Sequence, residues 1–305
     1  MPQKPKSSDA VAVTPALLRS RPLPVPAGGS KDERGRILVI GGAPELPGAA
    51  ILAATGALRA GAGKLQIATC ASIAPQVGIA VPEALVLGMP EHASGAMDPS
   101  CAAQLCEKAN KADATVFGPG IIENDVSSDL LAGLLSGLRT NVVLDAAALA
   151  CVGKRPRILE RATAECVLTP HAGEMAALLS IARDRIESDP RTYALRAAER
   201  FASVVALKGA QTYIATPSGD LFCNTAGTVG LATSGSGDIL AGVIGGLLAR
   251  GLSPLNATLW GVYAHAKAGA VLMKSTGLGF LAREIPQEIP MILRRITLGA
   301  SSSRA

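Results

Sequence analysis

The sequence predicts an α/β protein with a mainly parallel central sheet, helices on both faces of that sheet and an antiparallel hairpin near its edge. From residue 36 onward, short runs rich in β-branched and apolar residues alternate with stretches of helical periodicity. The chain of 305 residues contains 33 glycines, as expected where many strands turn tightly into helices. Hydrophobic residues make up 49% and charged residues 17%, which is typical of a large buried core. Alternation of this kind indicates a parallel sheet covered by helices.

The first 29 residues are predicted to form a proline-rich tail packed on the body of the protein. Pro22, Pro24 and Pro26 are spaced in a way that favours extended polyproline structure over helix. No linker or internal repeat interrupts residues 36–296, so we expect one domain over residues 30–298. Residues 299–305 are predicted to be a second tail.

The predicted strands lie at residues 37–40, 64–69, 84–87, 115–117, 142–144, 166–168, 204–207 and 212–215. The clearest predicted helices between them lie at residues 48–62, 101–109, 127–138, 173–179 and 191–201. Only residues 208–211 separate the last two strands. Because a parallel crossover cannot be that short, these two strands are predicted to form the antiparallel hairpin.

Residues 224–238 form a loop rich in glycine and hydroxyl residues, placed before an apolar stretch of helical periodicity at 239–249. Free N–H groups and the helix dipole favour an anion at such a helix N-terminus, and Gly235 and Gly237 allow its close approach. Asp238 would repel a phosphate, unless it takes a proton from a hydroxyl that attacks this phosphate. The alternative is a plain helix cap made by Ser236 or Asp238.

The chain after this helix carries clear start and stop signals. Gly251 is placed as a C-cap, and Ser253 and Pro254 are typical of an N-cap followed by the first helical residue. A long helix from Pro254 to about Met273 is therefore predicted.

Polar and glycine-rich segments also follow most of the predicted strands, at residues 41–49, 118–120, 145, 169–174 and 208–212. Each has an ordinary explanation on its own: His171 as a helix cap, Lys208 as a solvated turn residue, Asp145 as a partner of a backbone N–H. Together they fall at the carboxyl edge of the sheet, where open α/β sheets bind ligands. The anion loop is expected at the same edge.

Composition excludes several classes of protein. Aromatic residues amount to 3%, too few for a platform on which single-stranded nucleic acid stacks. The net charge of +5 suits solubility and an anionic ligand. We find no apolar run long enough to span a bilayer and no secretory segment, so neither a membrane nor nucleic acid is an expected partner, and the cytoplasm is the expected location.

The cysteines and histidines give no sign of a metal site. The six cysteines contain no C-x-x-C pair and are expected to be small buried thiols. The three histidines are dispersed along the chain. A zinc site with clustered ligands is therefore not predicted.

Taken in order, the segments resemble the ADP-dependent NAD(P)H-hydrate dehydratases of the ribokinase-like superfamily. The resemblance runs from about Thr14 to Arg295. The chain has Ala43, Ala172 and Ser236 where many members have serine, proline and threonine. The matching motifs include Pro47-Gly48-Ala49-Ala50, Leu58-Arg59-Ala60-Gly61-Ala62-Gly63-Lys64, Gly118-Pro119-Gly120, Leu144-Asp145-Ala146, Thr169-Pro170-His171-x-Gly173-Glu174, Lys208-Gly209-x-x-Thr212 and Gly235-Ser236-Gly237-Asp238.

The resemblance implies a reaction in which ADP phosphorylates the hydroxyl of the S epimer of hydrated NADH or NADPH. Phosphate then leaves, which yields NAD(P)H, AMP and phosphate. Asp238 would accept the hydroxyl proton, while backbone amides of Gly235, Ser236 and Gly237 would hold the growing charge. The phosphates imply Mg²⁺, although no metal-ligand motif supports it.

The resemblance also implies two binding surfaces. The hydrate would be bound by Ala49, Gly120, His171 and Asp238. The nucleotide would be bound by Lys208, Gly209, Ala210, Gln211, Thr212 and Gly237.

Further expectations concern partners and alternatives. The resemblance implies a homo-oligomer, a tetramer, and dependence on a separate NAD(P)H-hydrate epimerase, since the chain is too short at its front for an epimerase domain. A small-molecule kinase of the same fold, acting on a vitamin precursor, stays open because it would share residues 235–238. Residues 169–174 and 41–49 favour the dehydratase. The intact Asp238 argues against the other alternative, a non-catalytic nucleotide-binding sensor.

Overall fold

The structure, a computed structural model, describes residues 10–25, 28 and 30–299. Its strands are β1 (Val11–Ala12), β2 (Arg36–Ile40), β3 (Lys64–Cys70), β4 (Ala84–Met89), β5 (Ala114–Phe117), β6 (Asn141–Leu144), β7 (Cys166–Leu168), β8 (Val204–Leu207), β9 (Thr212–Ala215) and β10 (Leu221–Asn224). Within the described residues they form one ten-stranded sheet in the order β1-β10-β9-β8-β7-β6-β5-β2-β3-β4. Strand β9 is antiparallel to both β8 and β10, and the remaining pairs are parallel. The predicted parallel sheet and its hairpin are confirmed.

Helices cover both faces of this sheet. They are α1 (Pro15–Arg19), α2 (Pro47–Arg59), α3 (Ala74–Ala80), α4 (Ala102–Asn110), α5 (Asp125–Leu135), α6 (Ala147–Lys154), α7 (Ala172–Leu179), α8 (Arg183–Ser188), α9 (Pro190–Phe201), α10 (Ser236–Ala249), α11 (Pro254–Ser275) and α12 (Ile285–Leu298). One apolar core lies under α2, α10, α11 and α12, and includes Trp260. The other lies under α4 to α7 and α9, and includes Phe117.

Each predicted strand is present, and its ends differ from the prediction by at most two residues. The structure adds β1 and β10, which the periodicity did not predict. Helix α11 matches the predicted long helix closely. In the described part of the chain, no helix combines the length and apolarity that crossing a bilayer requires.

Close packing between α10 and α2 positions the anion loop. A Cβ atom built on Gly242 would lie 1.9 Å from the Ala53 carbonyl oxygen, and one built on Gly246 would lie 2.4 Å from that of Ala57. The two helix backbones therefore touch, and nearly all of α10 is buried. This contact fixes the N-terminus of α10 at the carboxyl edge of the parallel strands.

Residues 10–25 also contribute to the fold. Strand β1 pairs with β10, the Leu18 side chain of α1 is fully buried, and Trp260 Nε1 donates a hydrogen bond of 2.7 Å to the Arg21 carbonyl oxygen. The predicted boundary between tail and domain at residue 30 stays a prediction.

Candidate active site

The segments that follow the parallel strands meet at one edge of the sheet. The Gly42 N–H donates to the Pro119 carbonyl oxygen at 2.9 Å, and the Lys208 N–H donates to that of Pro170 at 2.7 Å. A Cβ atom built on Gly118 would lie 1.9 Å from the Asp145 carbonyl oxygen. The turns after β2, β5, β6, β7 and β8 are therefore neighbours, as the sequence predicted.

A buried ion pair lies at the centre of this edge. Lys208 Nζ donates to Asp145 Oδ1 at 2.9 Å and lies 3.7 Å from Glu174 Oε2. Thr169 Oγ1 donates to the same Asp145 oxygen at 2.7 Å. Burial alone would lower the pKa of Lys208, but Asp145, Glu174 and Asp238 raise it above its usual value. Lys208 is therefore a charged residue of the site and not a solvated turn residue.

Asp238 lies in the first turn of α10, beside this ion pair. Burial, together with the charges of Asp145 and Glu174, raises the pKa of Asp238 to about 7, although Lys208 acts in the opposite direction. A carboxylate with such a pKa accepts a proton near neutral pH far better than an ordinary aspartate does. The arrangement suits a general base.

The N-terminus of α10 has no side-chain cap. Gly235 occupies the cap position with φ +87°, and no side chain accepts a hydrogen bond from the first turn. Among the described residues, the backbone N–H groups of Gly237 and Asp238 have no acceptor. The alternative of a plain cap by Ser236 or Asp238 is therefore wrong. These two N–H groups are available to an anion.

Ser236 instead contacts His265, a residue of α11 that the sequence analysis missed. Ser236 Oγ lies 3.1 Å from His265 Nε2, and both side chains are buried. Burial lowers the pKa of His265 to about 4, so its ring is neutral at physiological pH. Its apolar helical surroundings are typical of a core residue, and no signal in the sequence distinguishes it.

His171 caps helix α7 and is exposed as well. Its Nδ1 accepts hydrogen bonds from the N–H groups of Gly173 and Glu174 at 3.0 and 3.2 Å. Glu174 Oε2 accepts from the His171 N–H at 2.7 Å, which completes a capping box. The His171 side chain is 59% exposed. The capping role considered from the sequence is therefore present, and Nε2 of the exposed ring lies 3.7 Å from Glu174 Oε1.

A cavity of about 660 Å³ opens beside this ring. It is lined by His171, by residues 207–211 and by Tyr213, with α8 on the opposite side. Its size is typical of a small-molecule or cofactor site. The cavity brings His171 together with most of the loop that the sequence predicted for the nucleotide.

Other predicted site residues lie outside the lining of this cavity. A Cβ atom built on Gly120 would lie 3.0 Å from Ala49 Cβ, so these two residues form a second surface. Gly237 lies beside the ion pair, because a Cβ atom there would be 3.3 Å from Lys208 Nζ and 3.8 Å from Asp145 Oδ2. The described residues contain no group of three or more histidine, cysteine, aspartate or glutamate side chains arranged to hold a metal ion.

Comparisons with known proteins agree with this geometry. A ribokinase-like superfamily protein of Enterococcus faecalis superimposes with a TM-score of 0.82 at 25% identity, over 98% of this chain and all of that one. The ADP/ATP-dependent NAD(P)H-hydrate dehydratase of Bacillus subtilis, co-crystallized with ATP/Mg²⁺, gives a TM-score of 0.81 at 29% identity, over 95% of this chain and 100% of that chain. The fold and the site thus define a nucleotide-binding α/β protein of the ribokinase-like class.

Sequence comparisons identify the family within that class. The profile of the NAD(P)H-hydrate dehydratases matches residues 37–291. The ADP-dependent (S)-NAD(P)H-hydrate dehydratase of Xanthomonas campestris is 48% identical over 94% of this chain and 97% of its own length. The chain belongs to the NAD(P)H-hydrate dehydratase family, which confirms the resemblance. It matches 54% of a bifunctional NAD(P)H-hydrate repair enzyme of Moorella thermoacetica, at 36% identity.

Proposed function

We propose that this chain dehydrates the S epimer of hydrated NADH and NADPH with ADP as phosphoryl donor, and that it releases NAD(P)H, AMP and phosphate. The observation that carries the proposal is Asp238, whose pKa is raised to about 7 at the uncapped N-terminus of α10. A proton acceptor and an anion site thus lie side by side. Transfer of a phosphoryl group to a hydroxyl requires both.

Each step has a chemical reason. Asp238 accepts the proton of the ring hydroxyl as this hydroxyl attacks the β-phosphorus of ADP. The turn formed by Gly235, Ser236 and Gly237 holds the negative charge that grows on the transferred phosphoryl group through its open N–H groups, that of Gly237 among them. The Ser236 N–H already donates to the Thr233 carbonyl oxygen at 3.3 Å. Phosphate then leaves far more easily than hydroxide would. The lone pair of the ring nitrogen expels phosphate and leaves an iminium ion, and loss of a proton from the adjacent ring carbon then restores the C=C bond of the dihydronicotinamide.

In the proposal, each of the two surfaces of the site binds a different substrate. Lys208, Gly209, Ala210, Gln211 and Thr212, with Gly237, bind the adenine nucleotide in the proposal, and Lys208 supplies the positive charge. Ala49, Gly120, His171 and Asp238 bind the hydrate. His171 and Lys208 line the same cavity, which supports the proposal that His171 contacts the hydrate next to the nucleotide.

Magnesium fits this site as a companion of the phosphates. Mg²⁺ is usually bound by substrate phosphates and one or two carboxylates, and Glu174 and Asp145 are the carboxylates beside Lys208. The ion would neutralise phosphate charge during transfer. We further propose that the protein is a cytoplasmic tetramer and that an NAD(P)H-hydrate epimerase supplies its substrate, a proposal supported by the bifunctional NAD(P)H-hydrate repair enzymes among its relatives.

The test is the Asp238→Asn variant, assayed with hydrated NADH, ADP and magnesium for dihydronicotinamide absorbance and AMP. Loss of a general base should lower kcat by about 10²–10⁴, while nucleotide binding persists because one negative charge beside the phosphates has gone. Asp125→Asn is the matched control, since Asp125 lies in the first turn of α5 and is exposed. A variant that keeps more than about a tenth of wild-type kcat would place the base elsewhere.

A second arm of the same assay tests the phosphoryl donor. Wild-type protein is given ADP or ATP at matched magnesium concentrations. We expect a higher kcat/KM with ADP. A higher value with ATP would contradict the donor but leave the role of Asp238 standing.

A further inference from the structure

A second cavity, of about 410 Å³, lies at the opposite edge of the sheet from the candidate active site. It is bounded by the C-terminal ends of α2 and α10, by α12 and by residues 23–25. Helix α10 connects the two sites, because its 14 residues separate Ser236 from Arg250 by about 21 Å. The cavity therefore has no residue in common with the proposed reaction.

Four arginines give this cavity its charge: Arg34, Arg59, Arg250 and Arg294. Within the described residues, no aspartate or glutamate lines the cavity and none of the four forms a salt bridge. The remaining lining is largely apolar and includes Leu23, Leu293 and Leu298. A cluster of cations on an apolar floor is the complement of an amphipathic anion.

Arg250 shows most clearly that the positive charge is not balanced. Its guanidinium donates to the carbonyl oxygens of Ala60 and Pro24 at 2.9 and 3.1 Å. Burial and the charge of Arg34 lower the pKa of Arg250. A carbonyl oxygen satisfies a donor but carries no net charge, and a guanidinium has further N–H groups to offer.

Helix dipoles compensate part of this charge. The C-terminal ends of α2, α10 and α12 face the cavity, and each corresponds to about half a negative charge. The four positive charges of the guanidinium groups exceed the negative charge of the three helix ends. The cavity therefore has a net positive charge, which a single basic residue at the end of a helix would not produce.

We propose that this cavity binds a soluble phosphate monoester with an apolar body. The planar guanidinium groups match the oxygens of a phosphate group, and the leucines cover the apolar part of the ligand. The proposal does not depend on the proposed reaction.

The experiment titrates 1-naphthyl phosphate into the full chain by calorimetry. Arg59 and Arg294 are exposed and make no ion pair with a described residue, so Arg59→Gln/Arg294→Gln should fold with an unchanged Tm. We expect it to bind the probe at least tenfold more weakly than wild type. Arg283→Gln/Arg295→Gln is the matched control, because it removes the same charge from exposed positions outside the lining. Gln211→Glu, which adds a negative charge at the nucleotide loop, should leave probe binding unchanged.

Further arms distinguish other occupants. Neutral 1-naphthol should not bind, and inorganic phosphate should bind more weakly than the probe. The protein should not co-sediment with vesicles of phosphatidylcholine and phosphatidic acid.

Equal probe binding by Arg59→Gln/Arg294→Gln and wild type would overturn the proposal, as would equal binding of naphthol and naphthyl phosphate. Vesicle binding that requires the two arginines would move the site to a lipid headgroup. A changed molar mass of Arg59→Gln/Arg294→Gln in solution would make the arginines a contact between copies. Either result would contradict the soluble ligand.

Discussion

At the scale of single residues, the chemistry of the site follows from one cation placed among three carboxylates. Lys208 bonds directly to Asp145, and Glu174 lies a little further away. Asp238 has no ion pair with Lys208 within 4.0 Å among the described residues. The positive charge of Lys208 thus mainly stabilises the negative charge of Asp145. Asp238 is left with a raised pKa, which is the property that a general base needs.

The first prediction concerns pH. Because Asp238 must be ionised to accept a proton, kcat/KM should rise with pH through about 7, the pKa of this carboxyl group. Asp145 raises that pKa, so Asp145→Asn should move the rise to lower pH. The pH profile of kcat/KM measures both. Asp113→Asn, an exposed carboxylate beside Arg36, is the control. An unmoved profile in Asp145→Asn would contradict the electrostatic coupling.

The second prediction concerns the contact between Ser236 and His265. Ser236→Ala removes the hydroxyl and leaves the buried, neutral His265 Nε2 without its partner. An unpaired buried polar group costs about 1–3 kcal/mol, so the free energy of unfolding in urea should fall by that amount. Ser236→Thr keeps the hydroxyl and should lose much less. Equal stability of the alanine variant and wild type would show that the contact contributes nothing.

At the scale of elements, the position of the anion loop depends on two glycines of α10 that let this helix touch α2. Such backbone contact requires the absence of a side chain, and a cluster of glycines in a helix otherwise lowers its stability. The sequence shows these glycines, but their purpose becomes clear only in the packed structure. The packing of α10 against α2 therefore determines the position of Asp238, since a shift of α10 would move this residue.

The third prediction tests this contact. Gly242→Ala would place a methyl group 1.9 Å from the Ala53 carbonyl oxygen, so a backbone must move. Overpacking of this kind costs about 1–3 kcal/mol or more, and we expect a lower Tm together with lower kcat. Gly48→Ala is the control, because a Cβ atom built on Gly48 meets no atom within 4 Å. If the two variants melt alike, the close approach of α2 and α10 is not needed.

Local signals explain why most elements were predictable from the sequence. A strand such as β8 is a short apolar run between turn residues. Only residues 208–211 connect β8 to β9, and a connection this short permits only an antiparallel pair. Strand β1 has two residues and pairs only through tertiary contact with β10, so no local pattern indicates it. The same limit applies to the site. The sequence predicted Asp145 and Lys208 at the same edge of the sheet. Their ion pair depends on the strand order β6-β7-β8, which brings the ends of β6 and β8 within reach of each other.

At the scale of the whole molecule, one continuous sheet connects the N-terminal segment to the site. Strand β1 lies at the edge beside β10, and β10 leads into the loop that precedes α10, whose first turn contains Asp238. Residues 10–25 also cover the core, since Leu18 and Leu23 are 0% and 7% exposed. These contacts support an N-terminal boundary of the folded domain before residue 30.

The last prediction tests that boundary by truncation. Removal of residues 1–29 deletes the buried side chains of Leu18 and Leu23, exposes the core residues that they cover, and removes the acceptor of Trp260 Nε1. Burial of a leucine side chain stabilises by about 1.5–3 kcal/mol, so the two leucines together account for about 3–6 kcal/mol of unfolding free energy, a large part of the stability of a typical domain. Removal of residues 1–9 is the control, because it leaves Leu18, Leu23 and the Arg21 carbonyl oxygen in place. Chemical denaturation of the two truncated proteins measures the difference. Equal stability would return the boundary to residue 30, whereas a loss confined to the longer truncation would make residues 10–25 an integral part of the domain that holds the site.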